Sequence, residues 1–213
     1  AAQRLSPQAR EAAIHAGGQE LSMHRGVYEP GVATGYALDP APGRHTATNS
    51  GNAGVPAFAP YFTLLGRKPA ARYDYAEKGV TQAIAMSLYR AFDCLGLCHF
   101  SLLMGEPPFL EWLKAATGWS VDEAEFFRTG KRIQVLRHAF NARHNLPSQF
   151  PLPKRELGDP PQAAGPVRDH TLDMEAMASS YFEYLGIDPQ SGIPLEATIE
   201  ELALKEILSG AQV

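Results

Sequence analysis

One stretch restricts this chain more than any other. Across residues 74–93, Val80, Ile84, Leu88 and Ala91 fall on one stripe at helical spacing, with Tyr75, Ala83 and Met86 alongside. The spacing predicts a long helix. Its end carries Asp93-Cys94-Leu95-Gly96-Leu97-Cys98: an acid closing the helix, a glycine suited to a tight turn, and a thiol five residues beyond the acid. In such a turn the glycine lets backbone approach a flat ligand, and amides freed at the helix end can donate hydrogen bonds. The aspartate can accept paired N–H bonds from a guanidine-like edge of a heterocycle, and a thiolate just beyond it can hold a metal cluster. The same six residues equally describe a plain helix C-terminus closed by glycine, with Cys98 buried.

The rest of the chain divides by its punctuation. Ser6-Pro7 opens a short predicted helix that closes at Gly17-Gly18. Residues 19–69 lose periodicity, with Gly, Pro, Thr and Asn recurring through Pro40-Ala41-Pro42-Gly43 and Asn49-Ser50-Gly51-Asn52, so they read as a long irregular loop region. Helices are predicted at 108–116, from a capping box at Ser120-Val121-Asp122-Glu123 onward with a break near Gly130, at 172–185 ending on Gly186, and at 194–208. Phe126, Phe127, Trp112 and Trp119 are expected in the core. Arg137, His138 and Arg143 are expected on a solvated charged face. No alternating strand pair stands out, so the class is all-α, a multi-helical bundle.

Composition narrows the partners. Nineteen Lys and Arg against twenty-three Asp and Glu give a net charge of −4, which argues against nucleic acid and anionic membrane surfaces. No apolar run approaches the roughly 20 residues of a membrane helix. The opening Ala1-Ala2-Gln3-Arg4-Leu5 has neither an initiator Met nor the apolar core of a signal peptide and reads as interior sequence. The two cysteines, four apart, suit neither a disulfide framework nor a four-ligand zinc site, so reduced thiols in a cytoplasmic protein are expected.

Several motifs, in order, resemble those of the tungsten-containing aldehyde ferredoxin oxidoreductase family. Asp93-Cys94-Leu95-Gly96-Leu97-Cys98 resembles its Asp-x-x-Gly-Leu-Cys pterin-binding motif. Gly18-Gln19-Glu20-Leu21-Ser22-Met23-His24 is similar to its Lys-Gly-Leu-Glu-x-Pro-Met-His segment. Gly35-Tyr36-Ala37-Leu38-Asp39-Pro40-Ala41-Pro42-Gly43-Arg44-His45 resembles its Gly-Tyr-Ala-Thr-Ser-Pro-Arg-Gly-x-x-His. Arg137-His138-Ala139-Phe140-Asn141-Ala142-Arg143 resembles its Leu-x-Arg-Ala-Phe-Asn-x-Arg, followed by Leu152-Pro153-Lys154-Arg155. Tyr184-Leu185-Gly186-Ile187-Asp188-Pro189 is similar to the family's ending.

The resemblance implies a C-terminal fragment of an enzyme that oxidises a small aldehyde to a carboxylic acid at a tungsten or molybdenum bis-molybdopterin centre. Electrons would leave through a [4Fe–4S] cluster to ferredoxin. It implies cofactor binding by Asp93, Gly96, Leu97 and Cys98, iron ligation by Cys98, and proton transfer by His45, whose imidazole suits acid–base work near neutrality. It divides the chain into 1–70, a remnant of the middle helical domain lining the cofactor, and 71–213, the C-terminal helical domain. The family's three-cysteine run, its other Asp motif and its N-terminal β-rich domain have no counterpart here. The expected partners are therefore the rest of the enzyme chain, ferredoxin, and a second copy meeting through apolar surface. Two other classes fit the residues: a cofactor-free helical scaffold, and a small thiol or metal protein using Cys94, Cys98 and His99.

Overall fold

The computed structural model describes residues 15–21, 26–48, 55–103 and 105–210. The architecture is all-α. Helices α1 (Pro30–Leu38), α2 (His45–Thr48), α3 (Ala59–Leu64), α4 (Tyr75–Cys94), α5 (Phe109–Thr117), α6 (Glu123–Arg143), α7 (Lys154–Leu157), α8 (Met174–Leu185), α9 (Glu196–Glu201) and α10 (Lys205–Gly210) follow a small hairpin of β1 (His15–Ala16) and β2 (Gln19–Glu20). No described helix is long and apolar enough to cross a membrane.

Helix α4 is the axis of the molecule. Asp74 caps its start by accepting the Glu77 amide, and every residue from Lys78 to Phe92 is buried. Its main neighbours are α8 and α6. Two glycines permit this closeness: a Cβ at Gly79 would collide with the Met177 carbonyl oxygen on α8, and one at Gly130 of α6 with the Ser87 carbonyl oxygen. Gly130 is thus a crossing point, and α6 runs through it unbroken, without the break that glycine suggested.

Two apolar cores lie on either side of α4. One gathers Tyr36 and Leu38 of α1, Ala83 and Met86 of α4, Val135 of α6, and Met177, Tyr181, Phe182 and Leu185 of α8. The other gathers Phe58, Tyr61, Phe62, Ile84, Leu88, Phe92, Phe109, Phe126 and Phe127. There Phe92 meets Phe109 edge-on at 4.6 Å and Phe126 at 5.1 Å. Each fully buried ring of this kind contributes about 1.5–3 kcal/mol.

The structure corrects several local expectations. The 19–69 stretch contains α1 as well as the short α2 and α3. All nine residues of α1 are buried, so it has no polar face to generate a period, and Pro30 sits harmlessly in its first turn. Most of the helix predicted from Ser6 lies outside the described residues; its end, His15–Ala16, is strand, joined through Gly17 and Gly18 with φ of +55° and +84°. The α6 cap is Asp122, whose Oδ1 accepts the Glu125 amide at 2.8 Å, not Ser120. The last helix divides at Ala203 (φ +52°). On a straight helix Leu202 and Leu204 would stand about 200° apart; the break lets both enter the core. Trp112, on α5, which buries only Phe109, is 53% exposed, and Trp119, just beyond that helix, is 65% exposed.

Candidate cofactor half-site

The long central helix ends where the sequence motif begins. Leu95 and Gly96 amides return to the Phe92 and Asp93 carbonyls at 3.0 Å each, and Gly96 takes φ +68°, the left-handed conformation glycine adopts freely. Nothing stands within 4 Å of where a Gly96 side chain would project, so the turn presents an open face. The chain continues through Cys98, whose carbonyl accepts the Ser101 amide at 2.9 Å, into a 3-10 helix at His99–Leu103. Cys94 and Cys98 are both exposed free thiols.

Asp93 stands at the wrong end of a helix for stability. The C-terminus carries partial negative charge, and an acid there opposes it by a few tenths of a kcal/mol to about 1 kcal/mol. Its carboxylate is 41% exposed and has two local partners: His99 Nε2 lies 2.7 Å from Oδ1 and Arg90 Nη1 lies 3.2 Å from Oδ2. Partial burial pushes the Asp93 carboxyl up. The His99 hydrogen bond and the Arg90, His99 and Arg44 charges outweigh that and hold it below the usual carboxylate range. The His99 ring rests against Tyr89 with centroids 4.5 Å apart.

A second segment bears on Asp93 through the charge of Arg44. Residues 39–45 link the end of α1 to α2, which starts at His45 and packs on α4. His45 is half-buried, its Nδ1 3.4 Å from the Tyr36 hydroxyl. The expected residues therefore fall into two adjoining pieces: Asp93, Gly96, Leu97 and Cys98 on one turn, and His45 on the neighbouring segment. Of the Gly18–His24 motif, residues 22–24 lie outside the described residues. Among the described residues no three His, Cys, Asp or Glu side chains converge as a metal site, so Cys94, Cys98 and His99 do not form one by themselves.

Sequence reasoning missed what holds residues 39–45 in place. Arg137 was expected on a solvated face, but its guanidinium grips the fully buried Asp39 carboxylate through two nitrogens at 2.7 and 2.8 Å. Asp39 Oδ1 also accepts the Ala41 amide at 2.8 Å, and Asn141 Nδ2 donates to the Pro40 carbonyl at 2.7 Å. Behind this clamp, Gln134 Nε2 donates to the Tyr181 hydroxyl at 2.9 Å and His138 Nε2 lies 3.0 Å from it. His138 is buried rather than solvated, and burial pushes its pKa down to about 4. For Arg137, burial favours losing charge, yet the Asp39 hydrogen bonds and charge prevail and raise its pKa. The available signal was the register of α6: Phe127, Gly130, Gln134, His138 and Asn141 share one buried stripe that turns from apolar to polar along its length.

A family model described as "Aldehyde ferredoxin oxidoreductase, domains 2 & 3" matches residues 1–204. The chain is 26% identical over 187 residues to the tungsten-containing aldehyde ferredoxin oxidoreductase of Pyrococcus horikoshii, covering 85% of this chain and 30% of that protein. It is 27% identical over 187 residues to the Thermococcus kodakarensis protein of the same name, with 85% and 30% covered. It is 28% identical over 185 residues to that of Pyrococcus furiosus, with 84% and 29% covered. The chain thus spans about 30% of the length of the curated relatives it matches.

Proposed function

The chain belongs to the aldehyde ferredoxin oxidoreductase family, and from that premise we propose that it is the C-terminal part of an enzyme oxidising a small aldehyde to a carboxylic acid. With water, the aldehyde yields the acid, two protons and two electrons. A tungsten or molybdenum bis-pterin centre supplies this two-electron chemistry when bound, with a [4Fe–4S] cluster passing electrons to ferredoxin. The observation that carries the reading is the turn at 93–98: an ionised, accessible carboxylate, a glycine with open space above it, and an exposed thiol follow one another on a single helix end.

These residues fit half of such a site. Asp93 would accept N–H bonds from the pterin edge, from a position that opposes the helix dipole and is held by Arg90 and His99. Gly96 and Leu97 would let backbone lie close to the flat ring. Cys98 would ligate iron, with the remaining thiolates coming from the rest of the enzyme. His45 would take up and return a proton, its ring steadied by Tyr36 and its backbone by the Asp39–Arg137 clamp. The boundary near residue 70 fits this division of labour: the segment before it would line the cofactor and the segment after it would carry the turn.

The test is elemental and spectroscopic. The natural polypeptide, purified anaerobically, is expected to contain tungsten or molybdenum together with iron. Asp93→Asn should lower pterin content, and Cys98→Ser should diminish the electron paramagnetic resonance of the reduced cluster. A natural polypeptide free of these metals overturns the reading.

A further inference from the structure

We propose that the exposed side of α6 is the seat on which the rest of the enzyme chain docks, continuing the contact that completes the cofactor site. The proposal deepens the functional reading above and rests on it. Phe140 is 60% exposed and rises between two hollows. The first, about 440 Å³, is bounded by Pro40, Ala41, Ile133 and Arg137. The second, about 520 Å³, is bounded by Ala139, Ile193, Ile199 and Ile207, with Leu136 and Phe140 shared by both. Ile193 and Ile207 are themselves 56% and 53% exposed. Large side chains left in water in one contiguous strip mark a surface made to be covered, because scattered apolar residues do not line up in this way.

Continuity identifies the occupant. The first hollow opens on Pro40 and Ala41, the residues fixed by Asp39, Arg137 and Asn141, and the same backbone reaches Arg44 and His45 within five residues. The helix that starts at His45 packs on α4, whose end carries the turn at 93–98, so the strip adjoins the segment that leads to the half-site. The relatives carry some 70% of their length outside the matched region, ample to extend over α6. The alternative occupant, a second copy of the chain, has no such link to the half-site.

Photoreactive benzoylphenylalanine placed at position 140, and separately at 207, in the full natural polypeptide tests the seat; a third probe at Phe100, exposed beside His99, tests the half-site. Circular dichroism checks that each variant folds. Adducts from 140 or 207 that map to family sequence outside domains 2 and 3 support the proposal. Adducts joining two copies of this region or an unrelated protein, or no adduct at either position, overturn it. If the probe at 100 reaches that outside sequence and those at 140 and 207 do not, the seat fails while the functional reading stands. If none of the three reaches it, both fail.

Discussion

The molecule contains two carboxylates that share the same kinds of partners and lead opposite lives. Asp39 is 0% exposed, bound by Arg137 through two hydrogen bonds, with His138 and Tyr181 behind it. Asp93 is 41% exposed, bound once each by Arg90 and His99. The first arrangement is sealed: its donors are matched to its lone pairs and solvent cannot substitute for them. The second is provisional, since water and any ligand offering N–H donors compete with His99 on equal terms. The difference separates a carboxylate that builds the site from one that can serve it.

The sealed cluster should break hardest. Arg137→Leu leaves Asp39 buried without its cation and is expected to cost about 3–5 kcal/mol of stability, read from urea unfolding. A loss under about 1 kcal/mol would mean that water reaches Asp39 and that the contrast is false. The next largest effect is on pH. His138 is held neutral with a folded pKa of about 4 against an ordinary value of 6.5. Between these values the unfolded chain binds the extra proton, so stability rises with pH across that window and is lost as pH falls through it. The 2.5-unit difference corresponds to about 3 kcal/mol at most, and His138→Asn should flatten that limb of the profile.

Legibility followed exposure in the same way. The turn at 93–98 could be read in the sequence because its chemistry is local: an acid, a glycine and a thiol in six consecutive residues. The helix before it was legible from its stripe, although its burial on every side was not. The clamp was illegible because Asp39 and Arg137 lie 98 positions apart, and a charged residue on a helix with mixed periodicity ordinarily faces water. Helix α1 escaped for the complementary reason: a helix apolar all round, punctuated by Pro30, Gly31 and Gly35, resembles loop until its neighbours are known. The exposed Trp112 and Trp119 were misread because apolar size predicts burial only when a partner surface exists.

The provisional carboxylate should respond gently in stability and clearly in binding. Asp93→Asn removes the carboxylate's ion pairs with the buried Arg90 and the half-buried His99, at a cost of about 1–2 kcal/mol given the carboxylate's own exposure, partly offset by relief of the unfavourable charge at the helix C-terminus. Its unfolding midpoint is therefore expected to fall modestly, well short of the fall for Arg137→Leu, while the natural polypeptide loses pterin. A large loss of stability would make Asp93 a second structural clamp and erase the comparison.

The smallest effect is the most discriminating. His99 supplies the leading interaction that lowers the Asp93 carboxyl against its own desolvation. His99→Ala should move that carboxyl upward, measured by carboxyl carbon NMR, with stability changed by only a few tenths of a kcal/mol. If His99 merely holds the place of a ligand's N–H groups, the same variant should retain its pterin, because the heterocycle replaces what the imidazole gave. Loss of pterin in His99→Ala, with Asp93 still ionised, would instead make the histidine part of the binding surface rather than its stand-in.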